Sequence, residues 1–215
     1  RTLPMITEKI SKCDHSEWID EFRVCYNIER EEIIEPAIER RGPHLRMGEV
    51  VDAVARQFDD AILVTDVGQQ QMFASRYFRF KHTRSIITSG GLGTMGFGLP
   101  AAIGAKIGAP DRDVCLFVGD GGLQMTLQEL GTIFQSSVPV KIILMNNGFL
   151  GMVRQWQELF YNHRYSFTEL TNPDFELIAR GNHIPYRCIE RHDELDEAIA
   201  QMKSCPTAVS YTHLT

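Results

Sequence analysis

Asp120 and Asn147 are the residues of this chain whose types and positions best suit metal chemistry. Each closely follows an apolar run typical of a buried strand, residues 114–118 for the aspartate and 140–145 for the asparagine. Parallel strands end at one edge of a sheet, so we expect the two side chains to meet although 27 positions (147 − 120) separate them. Mg²⁺ accepts such oxygens and fills its other positions with phosphate oxygens and water. The sequence therefore predicts a magnesium-held diphosphate.

Glycines surround the aspartate in Gly119-Asp120-Gly121-Gly122, just before a predicted helix at 123–136. At such a strand-to-helix turn the backbone N–H groups approach an anion closely, and the helix N-terminus adds partial positive charge. Taken alone, Asp120 reads as a helix cap, and Asn146-Asn147-Gly148 reads as an ordinary turn. The occurrence of both pieces at the ends of predicted strands favours the functional interpretation.

Composition excludes several classes of protein. The chain has 215 residues, 43% of them hydrophobic, enough for one substantial core and a smaller attachment. A net charge of −6 argues against a nucleic-acid surface, and no apolar run reaches membrane-spanning length or resembles a signal peptide. The five cysteines and seven histidines show no metal-binding spacing, so we expect reduced thiols and a cytoplasmic location.

Two parts of the chain differ in pattern. Residues 1–43 combine a helical stretch at 6–22 with a charged segment at 29–41, which indicates a helix and linker arriving from a missing upstream domain. Residues 44–215 alternate helix and strand, which predicts an α/β doubly wound parallel sheet with helices on both faces. The last strand stops without a helix or cap after it, so we expect a truncation or a scar at the C-terminal end.

The predicted elements set the expected position of a ligand. Helices are predicted at 47–58, 70–77, 96–107, 123–136, 151–162, 173–181 and 193–203, and strands at 61–66, 114–118, 140–145, 184–190 and 207–211. In a sheet of this kind, ligands bind beyond the carboxyl ends of the strands.

A second glycine-rich run suggests a rival function. Residues 91–96 fit the Gly-x-Gly-x-x-Gly pattern of dinucleotide-binding proteins, so an NAD-dependent Rossmann dehydrogenase is an alternative. The run before it, residues 85–88, is short for a central strand, and Asp111 and Asp113 lie in a polar loop instead of at a strand end. A fingerprint in this context is weak evidence.

The spacing from Gly-Asp-Gly to Asn-Asn resembles that of thiamine-diphosphate enzymes. Between residues 44 and 209 the chain further resembles the catalytic subunit of acetolactate synthase, also called acetohydroxyacid synthase. The segments that carry this resemblance are Asp66-Val67-Gly68-Gln69, Ser89 to Pro100, Gly119 to Gly122, Asn146-Asn147, and Gly151-Met152-Val153-Arg154-Gln155-Trp156-Gln157. The resemblance implies that Asp120, Asn147 and the carbonyl of Phe149 ligate Mg²⁺.

The resemblance also implies roles for the residues around the metal. Met95 would force the cofactor into a bent shape, and the Gly93 carbonyl would accept from its amino group. Met152, Val153 and Trp156 would line the substrate pocket, and catalytic roles fall to Met95, Met152 and Trp156. Met152 and Trp156 also have the i, i+4 spacing of core residues, so both could belong to the core. For Trp156 the site is favoured, because its helix begins just after the metal loop. The implied cofactor-binding positions are Gly68, Gln69, Gln70, Gly93, Met95, Gly119, Asp120, Gly121, Gly122, Asn147, Phe149, Gly151, Met152 and Val153.

The activity implied is decarboxylation of pyruvate and its joining to a second 2-ketoacid, pyruvate or 2-ketobutyrate. The chain departs from the family pattern at Gln70, where most members have histidine, although glutamine still donates to a phosphate oxygen. Family members also have an N-terminal domain with a catalytic glutamate, contributed by a partner subunit, and a middle domain that binds FAD. We therefore expect this piece to be nearly inactive alone and to act in a homo-oligomer, a dimer or tetramer, with a small regulatory subunit as a further partner.

Other functions remain open from the sequence. Pyruvate oxidase, glyoxylate carboligase and 2-ketoacid decarboxylase use the same cofactor with another outcome. A non-catalytic dimerisation or regulatory module that kept the fold is a further alternative. No nucleic acid or membrane is expected as a partner.

Overall fold

The computed structural model describes residues 2–11 and 13–214, with the backbone alone for 213 and 214. The chain divides into two compact units, Arg1–Ala37 and Ile38–Thr215. The predicted domain boundary lies a few residues further on, after residue 43. The helices that begin in the first unit are α1 (Thr2–Thr7), α2 (Ser16–Glu29), a π-helical turn (Arg30–Ile34) and α3 (Glu35–Ile38), and none of their described residues is buried.

The second unit contains a parallel sheet of six strands in the order β2-β1-β3-β4-β6-β5. Its strands are β1 (Ile62–Thr65), β2 (Ile86–Thr88), β3 (Val114–Gly119), β4 (Lys141–Asn146), β5 (Tyr186–Ile189) and β6 (Val209–Leu214). Its helices are α4 (Met47–Gln57), α5 (Gln69–Tyr77), α6 (Gly98–Gly108), α7 (Asp120–Met125), α8 (Glu129–Ser136), α9 (Gly151–Phe160), α10 (Phe175–Gly181) and α11 (His192–Ser204). The predicted fold class, a doubly wound parallel α/β sheet, is confirmed.

The central strands explain why helices cover both faces. In β3 and β4 every residue before the last is buried, so side chains pointing to either face need an apolar partner. On one face Leu116 and Leu144 join a core with α6, α7, α8 and α10. After β1 the chain adds β2 on one side of it and then places β3 on the other. That change of direction opens a crevice at the carboxyl ends of β1 and β3.

Several elements differ from the sequence-based predictions. The helix predicted at 6–22 is two helices, Thr2–Thr7 and Ser16–Glu29. The helix predicted at 123–136 starts earlier, at Asp120, and breaks between α7 and α8, where Thr126 Oγ1 donates to the Gly96 carbonyl (3.1 Å). The short run before the second glycine motif is a strand after all, β2, at the edge of the sheet.

Two further findings concern membranes and thiols. Among the described residues, no helix combines the length and the apolar character that a bilayer crossing requires. All five cysteines are free thiols. Cys115 is buried in β3, and burial raises the pKa of its thiol well above the usual range.

Candidate functional site

A cavity of about 170 Å³ lies at the carboxyl ends of β1, β3 and β4. Every position that the sequence analysis assigned to a cofactor lines it, together with Met47, Val67, Met145 and Leu150. The turns that follow the three strands supply most of this lining. The structure thus brings together residues from 68 to 153, although their individual roles stay predictions.

Asp120 is the first residue of α7 and is only 2% exposed. Its Oδ2 accepts from the backbone N–H of Gly148 (2.9 Å) and from Nδ2 of Asn172 (2.7 Å). Burial raises the pKa of the Asp120 carboxyl, and the hydrogen bonds from Asn172 and the backbone partly offset that rise. A cation beside the carboxyl would favour its charged form, so the surroundings fit a metal ligand.

The other two predicted ligands lie on the turn after β4. Asn147 Oδ1 accepts from the backbone N–H of Phe149 (3.0 Å), which folds this turn tightly. Phe149 itself forms an antiparallel bridge with Glu169. The two bonds of that bridge use the Gly148 carbonyl and the Leu150 N–H (2.8 and 2.7 Å), and leave the Phe149 carbonyl on the opposite side of the strand.

The Phe149 side chain is held as well. The guanidinium of Arg154 lies over the Phe149 ring at 4.0 Å and over the Tyr165 ring at 4.7 Å. These contacts and the bridge fix the backbone that carries the predicted carbonyl ligand. A carboxylate, an amide oxygen and a backbone carbonyl form the oxygen set that Mg²⁺ accepts.

Two glycines that line the cavity, Gly121 and Gly151, are packed too closely for any side chain. A Cβ at Gly121 would come within 2.8 Å of Leu150 Cδ2 and 3.5 Å of Met95 Cε. At Gly151 a Cβ would overlap the Gln69 amide and lie 3.1 Å from Asn147 Nδ2. Only glycine therefore fits at these two positions, where the backbone runs directly against neighbouring side chains at the edge of the cavity.

Gln69 and Gln70 fix the turn after β1. Gln69 Nε2 donates to Gln155 of α9 (3.2 Å), and its Oε1 accepts from Asn147 (3.4 Å). Gln70 is 5% exposed and uses one Nε2 hydrogen on the Val67 carbonyl (2.8 Å). Its second Nε2 hydrogen remains for a phosphate oxygen.

The glycine run at 91–96 lies between β2 and α6, as a dinucleotide fingerprint requires. However, a side chain of the protein occupies the position where an anion would bind. The Asp66 carboxylate, fully buried, accepts from the backbone N–H groups of Val67 (2.8 Å), Gly96 (3.2 Å) and Gly98 (2.7 Å). The N–H groups at the start of α6, where a dinucleotide's pyrophosphate binds, are thus occupied by the protein's own carboxylate. This contact argues against the dehydrogenase alternative.

The predicted substrate-pocket residues divide between two places. Met152 and Val153 line the main cavity. Trp156 does not line it; with Val153 it borders a separate, more open cavity of about 460 Å³ along α9. Trp156 is 58% exposed and α9 has no buried residue, so the alternative that these side chains form the core of this chain is not supported.

Two residues that organise the site were given no role from the sequence, although Asp66 lies in a segment that carries the family resemblance. Asn172 contacts the carboxylate of Asp120 and the Oδ1 of Asn146 (2.8 Å). Asp66 links the turn after β1 to the loop that carries Gly93 and Met95. Asp66 directly follows β1, as Asp120 directly follows β3. This shared position at a strand end could have identified Asp66 as a candidate site residue. The sequence Asn172-Pro173 gave only a turn signal.

The family described as thiamine pyrophosphate enzyme, C-terminal TPP binding domain, matches residues 66–210. The acetolactate synthase large subunit of Lactococcus lactis is 54% identical over 123 residues, which cover 57% of this chain and 21% of that protein. Acetolactate synthase isozyme 2 large subunit of Escherichia coli is 48% identical over 144 residues, 66% of this chain and 26% of that protein. The corresponding large subunit of Corynebacterium glutamicum is 44% identical over 184 residues, 81% of this chain and 29% of that protein.

A solved structure shows the same fold. The thiamine diphosphate-dependent 4-hydroxybenzoylformate decarboxylase of Rhodococcus jostii superimposes with a TM-score of 0.76 over 82% of this chain and 34% of its own, at 25% identity. The chain thus spans between about a fifth and a third of the length of these relatives. The resemblance that the motifs carried is confirmed.

Proposed function

Because this chain belongs to the thiamine pyrophosphate enzymes, through their C-terminal TPP-binding domain, we propose that it is the diphosphate-binding part of an acetolactate synthase. The reaction would decarboxylate pyruvate and join the remaining two-carbon unit to pyruvate or 2-ketobutyrate, a transferase reaction of branched-chain amino-acid biosynthesis. Relatives named acetolactate synthase large subunit, 44 to 54% identical, support this choice. The observation that carries it is the cavity in which Asp120, Asn147 and Phe149 converge.

We assign Mg²⁺ to Asp120, Asn147 and the carbonyl of Phe149. Each supplies one oxygen, and the remaining positions suit diphosphate oxygens and water. The glycines at 121, 122 and 151 would donate backbone N–H groups to the diphosphate, whose negative charge the start of α7 also favours. In this proposal the protein's contribution is to hold the diphosphate end rigidly.

Thiamine diphosphate, when bound, supplies a nucleophilic carbon and a ring that accepts electrons as carbon dioxide leaves. Met95 lies beside Gly121 and presents a bulky apolar group to the cavity. The Gly93 backbone, held at a φ of +61°, would orient the cofactor's amino group through its carbonyl. Met152 and Val153 would keep water from the reacting atoms. Trp156, which borders the adjoining cavity, would influence which 2-ketoacid is accepted as the second substrate.

The rest of the proposed enzyme lies outside these residues. An upstream domain would supply the glutamate that protonates the cofactor, and a middle domain would bind FAD. Because that glutamate comes from a partner subunit, the active form would be a homo-oligomer in the cytoplasm, with a small regulatory subunit as a further partner. This chain alone would then bind thiamine diphosphate and turn over little or no pyruvate.

The metal assignment is tested by calorimetric titration of thiamine diphosphate into the chain, with Mg²⁺ and with a chelator in its place. We expect Mg²⁺-dependent binding, which Asp120→Ala weakens by at least about 10-fold because a carboxylate ligand is lost. Asp60→Ala, an exposed carboxylate in the loop before β1, is the matched control and should leave the affinity unchanged. Metal-independent binding, or an unaffected Asp120→Ala, would refute the assignment.

A second candidate is another thiamine-diphosphate enzyme, because the superimposable structure is that of a decarboxylase. A chimera separates the two. Residues 44–209 would replace the equivalent segment of the E. coli acetolactate synthase isozyme 2 large subunit, and products from pyruvate would be identified. Acetolactate supports the proposed function, whereas acetaldehyde as the main product favours a decarboxylase.

A further inference from the structure

Asn172 connects the ends of the two strands that carry the predicted metal ligands. Its Nδ2 donates one hydrogen to Asp120 Oδ2 (2.7 Å) and the other to Asn146 Oδ1 (2.8 Å). Asp120 directly follows β3 and Asn146 ends β4, and these strands are neighbours in the sheet. A single amide group therefore bridges the two strand ends at the cavity, just beyond the last paired residues of β3 and β4.

One contact orients the Asn172 side chain, and two more hold the chain on either side of it. Gln124 Nε2 donates to Asn172 Oδ1 (2.8 Å), which sets the orientation of the amide so that Nδ2 faces the acceptors. On the N-terminal side, residues 168–170 pair with residues 148–150 through the antiparallel bridge. On the C-terminal side, Asp174 caps α10 by accepting from the Leu177 N–H (2.9 Å). The side chain thus has little freedom to follow a movement of Asp120.

The hydrogen bonds to Asp120 are unevenly distributed between its two oxygens. Asn172 and the Gly148 N–H both bind Oδ2, and the Gly121 N–H also bonds the carboxyl. Because Oδ2 has two donors of its own, we assign Oδ1 to the cation. A carboxylate held in this way ligates through one oxygen. Mg²⁺ prefers single-oxygen ligands at about 2.0–2.1 Å in an octahedron, whereas Ca²⁺ takes 6–8 oxygens at about 2.3–2.6 Å and often both oxygens of one carboxylate.

We propose that Asn172 is a positioning residue that makes Asp120 a single-oxygen ligand and thereby sets the preference of the site for Mg²⁺ over Ca²⁺. The proposal rests on the metal assignment made above. Removing the Asn172 amide frees Oδ2 and lets the carboxylate rotate, which suits Ca²⁺ and disturbs the octahedron of Mg²⁺. The predicted effect is a change in metal preference, and a residue that only supported the fold would not produce it.

The test measures the affinities of Mg²⁺ and Ca²⁺ separately, by calorimetry in the presence of thiamine diphosphate, for the wild-type chain and for Asn172→Ala. We expect Mg²⁺ affinity to fall by about 10-fold, as for other residues that orient a metal ligand, while Ca²⁺ affinity changes by less than about 2-fold. Asn182→Ala is the matched control, because its side-chain amide, just after α10, donates to the Ile178 carbonyl of that helix (2.9 Å) and contacts none of the predicted metal ligands among the residues that the structure describes. It should change neither affinity.

A second variant covers the case in which Asn172→Ala does not fold. Gln124→Met removes the donor that orients Asn172 and should shift the preference in the same direction by a smaller factor. A shift toward Ca²⁺ in either variant supports the proposal. Equal losses for both ions, or no loss, overturn it. If the wild-type chain shows no metal-dependent binding at all, the metal assignment itself fails, which is a different result.

Discussion

Two glycine-rich turns of this protein both lie between a strand and a helix, but they contact different groups. One, residues 91–96, connects β2 to α6; the other, residues 119–122, connects β3 to α7. Each places backbone N–H groups at the start of a helix, where an anion binds well. In the first turn the anion is Asp66 of the protein, fully buried and bonded to Gly96 and Gly98. In the second turn Gly119, Gly121 and Gly122 line an open cavity.

The difference shows that the same local motif can either be closed by a side chain of the protein or be left facing a cavity. A carboxylate from a neighbouring strand end satisfies the first turn permanently, so that turn becomes a rigid support for Gly93 and Met95. Asp120 belongs to the second turn, and its carboxyl bonds Asn172, the Gly148 N–H and the backbone of Gly121 beside it. The two aspartates, Asp66 and Asp120, follow adjacent strands, β1 and β3. They differ in the groups that donate hydrogen bonds to their carboxylates.

The largest effect is expected at Asp66. In Asp66→Asn the amide has one acceptor oxygen for three backbone donors, and its NH₂ group faces at least one of them. We expect the free energy of unfolding to fall by about 3 kcal/mol, since buried donors lose a charged acceptor. Urea denaturation measures the change. Asp60→Asn, an exposed carboxylate, should cost no more than about 1 kcal/mol, and an equal cost for both variants would remove the structural role given to Asp66.

A smaller effect is expected from adding one methyl group to each turn. In Gly122→Ala the new Cβ would overlap Asp66 Oδ1, which the N–H groups of Val67 and Gly96 hold in place, so we expect a loss of about 2 kcal/mol in unfolding free energy. Gly91→Ala meets no atom within 4 Å and should stay within about 0.5 kcal/mol of the wild type. Thermal unfolding of the two variants compares them directly. If Gly122→Ala is as stable as Gly91→Ala, the close packing of the two turns is wrong.

The smallest effect, with the opposite sign, is expected at Asp120 in the presence of a chelator. Burial raises the folded-state pKa of this carboxyl above its ordinary value of 3.8, so ionisation opposes folding at neutral pH. Asp120→Asn removes that cost while keeping an acceptor for Asn172, and should stabilise the chain by up to about 1 kcal/mol. The gain should be largest at neutral pH and vanish as pH falls through the raised pKa. Urea denaturation from pH 7 to pH 3 tests this; destabilisation at neutral pH would contradict it.

Much of the fold follows from local patterns. The apolar runs at 114–118 and 140–145 identified β3 and β4, and their strand-end residues, Asp120 and Asn147, line one cavity. Such runs are informative because burial on both faces of a parallel sheet leaves little choice of residue type. Because parallel strands end at the same edge of the sheet, the residues that follow β3 and β4 must lie near each other at that edge.

The missed features depend on contacts between distant parts of the chain. β2 is too short to recognise alone and exists because it pairs with β1, Leu63 opposite Ile86. The helix predicted at 123–136 breaks where Thr126 bonds the carbonyl of Gly96, 30 residues earlier. Neither the pairing of β2 nor the break between α7 and α8 can be recognised from the residues next to it in the sequence.

The sequence by itself determined a parallel α/β sheet, the strand ends that carry the predicted oxygen ligands, and the glycine-rich turns beside them, because these depend on residue type and short-range periodicity. The tertiary structure alone decided which glycine turn receives the Asp66 carboxylate and which oxygen of Asp120 accepts from Asn172 and Gly148. Those choices are made by Asp66 and Asn172 through hydrogen bonds that span about 30 to 50 residues. Bonds of that range form only after the strands have assembled.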